Sequence, residues 1–215
     1  MATLLEAQDL SFSYGRKTVW EGLGLSLVSG EVVSLRGVNG SGKSTLLRCL
    51  AGQLRPREGE VCFLGRALFS LEQEDLAGLS LVPDVPALYD DLTGHEHLEL
   101  VARANGDEGA ERRGHVLAGR FHMTDALGAL PSALSRGMRY KLALTLVLAM
   151  RPQALLLDEP FAPIDDDAAG VLGRELSALA EAGSAVLLSV HGDVPACSPT
   201  RTLRLGTDGL SEETP

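Results

Sequence analysis

One run, Gly37-Val38-Asn39-Gly40-Ser41-Gly42-Lys43-Ser44, constrains this chain more than any other. It reads GxxxxGK[ST] and lies between an apolar β-type run, VVSLRG (32–37), and a helix-forming run, STLLRCLAGQL (44–54). A strand that turns through glycines into a helix aims successive backbone N–H groups, and the positive end of the helix dipole, at one point. That point suits phosphate oxygens, so the pattern implies both an α/β strand–loop–helix unit and a nucleoside triphosphate. Gly37, Asn39, Gly40, Ser41 and Gly42 would wrap the phosphates. Lys43 would reach the β- and γ-phosphates, Ser44 would offer a hydroxyl to Mg2+, and Thr45 a second hydroxyl nearer the α-phosphate. The chain holds three lysines, and one stands here, which weighs against a chance glycine-rich turn.

A second apolar strand, QALLLD (153–158), ends in Asp158-Glu159-Pro160. Sheets of this class place ligand chemistry at the carboxyl ends of their strands. Asp158 would hold Mg2+ through its waters, and Glu159 would orient or deprotonate an attacking water. Acids often follow a strand, so the pair gains its force from the phosphate loop. Together they favour hydrolysis over binding alone.

Strand and helix patterns set these motifs in a larger frame. Segments 4–14, 19–30, 60–65 and 79–83 read as strands, and SAVLLSV (184–190) as a buried one. Between about 88 and 150 the character is helical (95–106, 109–121, 136–150). A further helix is expected at 167–182 and a hairpin near 201–210. The expected fold is α/β: a mostly parallel core sheet, an N-terminal antiparallel β subdomain, and a helical subdomain at about 88–150 inserted into a single domain, 1–215.

The most apolar runs, 142–150 and 184–190, fall short of the roughly 20 residues a spanning helix needs. The opening MATLLEAQDLSFSYG has no basic stretch before an apolar block, so no signal peptide is expected and the chain should stay cytoplasmic. A formal net charge of −10 argues against a nucleic-acid partner and against adhesion to anionic lipid. Cys49, Cys62 and Cys197 lack metal or redox spacing and read as small hydrophobes.

The remaining landmarks resemble the ATP-binding cassette of ABC transporters over essentially the whole chain, with export-type cassettes the most similar. Tyr14, in LSFSYG, matches the ring that stacks on adenine. Leu134-Ser135-Arg136-Gly137-Met138 resembles the LSGGQ signature, with Arg136 for its middle glycine and Met138 for its glutamine. The resemblance implies that Ser135 and Gly137 approach the γ-phosphate held by an opposite subunit. His191, after the strand 184–190, matches the switch histidine, and Asp165 in PFAPID the aspartate of the loop between subunits. After LSLVP the family places a glutamine beside Mg2+ and the water; this chain has Asp84. A carboxylate can ligate metal but, ionised, cannot donate a hydrogen bond.

The resemblance thus implies ATP and Mg2+ as cofactors, Glu159 and His191 as catalytic residues, and Ser44, Asp158 and Asp84 around the metal. It also implies a second cassette, most simply an identical copy joined by ATP, and an integral membrane permease that holds the chain to the inner face of the cell membrane. A DNA-repair or translation cassette would carry coiled-coil, zinc or second-cassette insertions for which this length has no room. A P-loop GTPase or kinase would leave the signature and switch histidine without a role, and no NKxD motif occurs. A regulatory cassette that barely hydrolyses ATP stays open on account of Asp84 and Arg136.

Overall fold

The computed structural model describes residues 2–206 and 209–213. Two long strands, β1 (Thr3–Tyr14) and β2 (Lys17–Val28), form an antiparallel hairpin that β4 (Glu58–Phe63) and β5 (Arg66–Ala67) extend in the order β2-β1-β4-β5. A second sheet runs β10-β9-β3-β8-β7-β6. Its strands β3 (Val32–Arg36), β6 (Leu79–Val82), β7 (Ala154–Asp158), β8 (Ala185–Ser189) and β9 (Arg201–Gly206) are parallel. Only β10 (Gly209–Glu213) runs antiparallel, at the edge, paired with β9 as the expected terminal hairpin. Residues 207 and 208 lie outside the described residues. The architecture is the expected α/β one.

Strand side chains alternate between faces, and here each face has its own core. Val33 and Leu35 of β3, Leu156 of β7 and Leu187 of β8 pack with the antiparallel sheet and with α1 (Lys43–Leu50). Val32, Leu155, Leu157, Val186 and Leu188 point the other way, among residues of α4 (Arg136–Ala149) and α5 (Asp166–Glu181). Burial on both faces explains why β7 and β8 are unbroken apolar runs rather than alternating ones. Cys49 sits in the first core, where burial pushes its thiol up to about 12, so it is an inert hydrophobe.

The helical segment holds α2 (Gly94–Ala104), α3 (Glu108–Arg120) and α4. Each helix start has a local reason. Thr93 and Glu96 form a reciprocal capping box on α2, while Asp107, Ser135 and Asp165 cap α3, α4 and α5 with their side chains. Helical structure begins at 94 rather than near 88, because residues 84–93 are held as a loop. His97 fixes that loop from inside: its Nδ1–H donates to Thr93 O at 2.8 Å and its Nε2 accepts from Tyr89 N–H at 3.0 Å. The first helix stops at Leu50, four residues short of the expected 54, and Gly52 follows at φ 74°.

No helix among the described residues is long and apolar enough to cross a membrane. The strand that carries the acids has no slack: Leu156 is fully buried. Leu156→Ala should therefore cost about 3 kcal/mol in urea unfolding, whereas Val116→Ala, at a side chain 53% exposed, should change stability by less than about 0.5 kcal/mol.

Candidate active site

The phosphate loop takes its shape from crowding. Gly42 caps α1 at φ 97°, and a Cβ there would come within 2.5 Å of Val19 Cγ1 and 2.8 Å of Trp20 Nε1. Glycine satisfies both demands, the left-handed turn and the close approach of β2. The loop's polar groups point inward with few protein partners. Lys43 is 5% exposed, and its Nζ donates to the neutral carbonyl of Gly37 at 2.9 Å. Among the described residues it meets no carboxylate. The Ser41 hydroxyl is buried and unpartnered. A buried ammonium facing only a neutral acceptor is an electrostatic cost that an anion removes, so phosphate oxygens fit this loop.

Tyr14, Asn39, Gly40, Gly42, Lys43, Ser44, Thr45 and Glu159 all line one cleft of about 530 Å3. Motifs spread over 145 residues of sequence thus converge on one ligand-sized space. Tyr14 is 52% exposed at the rim, supported edge-on by Phe12 at 5.0 Å, with its hydroxyl 3.4 Å from Thr45 Oγ1. That leaves a ring face free for a flat base.

The carboxylates stand at the end of β7. Asp158 is buried, and its Oδ1 accepts from Ser189 Oγ at 2.8 Å. The same Ser189 oxygen accepts from the Glu159 N–H, also at 2.8 Å. Glu159 adopts φ 50°, a left-handed conformation costing a non-glycine residue about 1 kcal/mol. Ser189 helps hold that turn, which puts one acid back in the sheet and the other out in the cleft. His191 Nε2–H then donates to Glu159 Oε1 at 2.9 Å. Tyr140, fully buried on α4, closes the site from behind with its hydroxyl 3.5 Å from the Asp158 carbonyl. Burial first, and then the Asp158 and Asp84 charges, push its phenol well above the ordinary range.

The chain has relatives of the kind these features suggest. A family profile described as ABC transporter matches residues 20–162. The cytochrome c biogenesis ATP-binding export protein CcmA 2 of Cupriavidus metallidurans is 34% identical over 97% of this chain and 98% of its own. The chain belongs to the ABC transporter family. The ABC-type transporter ATP-binding protein EcsA of Bacillus subtilis is 32% identical over 88% of this chain and 77% of its own. A solved ATP-binding subunit of an ABC transporter superposes with a TM-score of 0.90 at 30% identity, covering 99% of this chain and 90% of that one. The protein is accordingly an ABC ATPase that binds and hydrolyses ATP to support transport through a membrane partner.

Other ABC landmarks lie elsewhere. Ser135 and Gly137 do not line the cleft; Ser135 caps α4 by accepting from Met138 N–H at 3.2 Å. Gly137 faces the loop after β7, where a Cβ would be 2.8 Å from the Pro163 carbonyl. Asp165 caps α5 and pairs with Lys141 of α4 at 2.5 Å, which holds its carboxyl below the usual carboxylate range. Asp84, assigned to Mg2+ on the resemblance, has its Oδ1 bonded to Arg136 Nη2 at 2.8 Å.

Sequence reasoning missed Ser189 and Tyr140. Each reads as an ordinary strand or helix residue, and only tertiary pairing discloses its contact. Ser189→Ala should lower kcat for ATP about tenfold or more, by removing the charge-assisted bond to Asp158 and the acceptor that holds the Glu159 N–H, with KM changed less. Steady-state hydrolysis by the two proteins checks this; equal kcat values would contradict the anchoring role.

Proposed function

We propose that this ABC ATPase hydrolyses Mg-ATP between two cassettes and powers export through a separate membrane-spanning subunit. The observation that carries the reading is the cleft itself: an ammonium buried without an anionic partner among the described residues, an aromatic ring at the rim, and a glutamate held toward the same space. Ser44 and Asp158 suit a divalent cation. No cluster of three His, Cys, Asp or Glu occurs among the described residues, so phosphate and water would complete its shell. The cation, when bound, supplies charge neutralisation to the phosphate oxygens.

Within that frame the residues divide the work. Tyr14 stacks the base; Gly37, Asn39, Gly40, Ser41, Gly42 and Thr45 wrap the phosphates; Lys43 balances their charge. Glu159 Oε takes the proton of a water whose oxygen attacks the γ-phosphorus, breaking the bond to ADP and yielding inorganic phosphate. His191, bonded to Glu159, orients it. Ser135 and Gly137, remote from this chain's own cleft, would complete the site of a second copy, so ATP joins two copies and its cleavage releases them.

The helical segment 88–150 reads as a subdomain inserted in one domain, 1–215, and as the side that meets the permease. A groove of about 430 Å3 runs beside it, lined by Pro83, Pro86, Leu88, Val101 and Val147. Val85 and Tyr89, in the same loop as Pro86 and Leu88, are 73% and 64% exposed, an apolar display that suits a protein partner. The chain would then work at the inner face of the cell membrane, held there by that partner. Export is supported by the export role printed for the Cupriavidus relative.

Two results test the reading. Glu159→Gln keeps the side chain's size and removes its base, so it should bind ATP without cleaving it and accumulate as a dimer. Lys43→Ala should lose affinity and stay monomeric. Light scattering after size exclusion, with and without Mg-ATP, reads both; a Glu159→Gln protein that is monomeric with ATP bound would rule out the ATP-joined homodimer. Cross-linking from single cysteines at positions 85 and 89 in native membranes should capture an integral membrane protein. Capture of soluble proteins alone would sink the docking assignment.

A further inference from the structure

Two side chains that depart from the family pattern touch each other. Asp84 follows β6 where a glutamine is usual, and Arg136 opens α4 where the signature has glycine. They are 52 residues apart in sequence, yet Arg136 Nη2 donates to Asp84 Oδ1 at 2.8 Å. A negative charge thus faces a positive one, so the two side chains compensate each other electrically.

The pair is too wet to serve the fold. The two side chains are 65% and 46% exposed, and ion pairs in that setting contribute little to stability. Its location is more informative. Arg136 is flanked by Ser135 and Gly137, and the same helix end meets the end of β7 and the loop after it at three points: Tyr140 near Asp158, Gly137 against the Pro163 carbonyl, and Lys141 on Asp165. Asp84 adds a fourth tie, to the loop after β6. The start of α4 is thereby registered on the loop after β6 and on the loop after β7, the second of which opens with Glu159 of the cleft.

We propose that Asp84 and Arg136 are a matched positioning pair, in which Asp84 acts through Arg136 to set the start of α4 and is not a magnesium ligand. The inference rests on the ATPase reading for its kinetic consequences alone. With Asp84 removed, Arg136 keeps an uncompensated charge beside Ser135 and Gly137, and the first turn of α4 loses its side-chain tie to the loop after β6. With both removed, neither charge is left uncompensated. A direct metal ligand behaves differently, since its loss shifts the metal requirement whatever stands at position 136.

The test is a double-mutant cycle on the full chain with Asp84→Gln, Arg136→Gly and the two combined. Each single variant should lower kcat, Asp84→Gln by about fivefold, with KM for ATP and the Mg2+ concentration for half-maximal rate unchanged; the double variant should return to within about twofold of wild type. Hydrogen exchange of the nucleotide-free proteins gives a readout without turnover. Amides of 139–142 should exchange up to about fivefold faster in Asp84→Gln, the scale of an exposed ion pair. The proposal is overturned if the single effects on kcat multiply in the double variant, if Asp84→Gln raises the Mg2+ requirement with or without Arg136, or if exchange at 139–142 does not change. A wild-type chain without hydrolysis would defeat the ATPase reading, and the exchange measurement would still decide the pair.

Discussion

Lys43 holds a positive charge at 5% exposure against a single neutral carbonyl. Placing an ammonium there costs free energy that the protein alone does not recover. The surroundings keep it in place: Gly42 lets β2 press on the loop, α1 starts at Lys43 itself, and the loop hangs from β3, buried between two cores. The fold thus holds an unfinished electrostatic interaction open, and a nucleotide's phosphates finish it.

The acids depend on a related constraint at the neighbouring strand ends. β7 and β8 are paired in register, with Asp158 opposite Ser189. That register lets one hydroxyl bond both Asp158 and the Glu159 backbone, and it sets His191 two residues on, within reach of Glu159. The strain at Glu159 is the means by which consecutive residues serve different roles, one buried and one presented to the cleft. The sheet register therefore brings Asp158, Glu159 and His191 together at the strand ends.

What was legible in the sequence follows from this. The phosphate loop, the Asp158-Glu159 pair and the buried strands were readable because their residues are adjacent or periodic in the chain. Tyr14 and Glu159 line one cleft, a meeting that no spacing in the sequence discloses. Ser189 was not readable, since a serine at the end of an apolar strand has no local signature. His97 was hidden similarly: its ring organises the loop 84–93 through bonds that only the folded turn creates. Asp84 and Arg136 were each noticed as departures, but their pairing spans 52 residues and leaves no trace in spacing.

The most direct test of the account is the thermal stability of Lys43→Met, which keeps an apolar stem and removes the buried charge. Melting temperatures of this variant and wild type should be compared alone, with Mg-ATP and with adenosine. The account predicts that wild type gains several degrees with Mg-ATP, as expected for ligand present at about a hundredfold or more over its Kd, and little with adenosine. Lys43→Met should be at least as stable as wild type without nucleotide and gain nothing from Mg-ATP. A Lys43→Met protein that is less stable when nucleotide-free, and still stabilised by Mg-ATP, would contradict it.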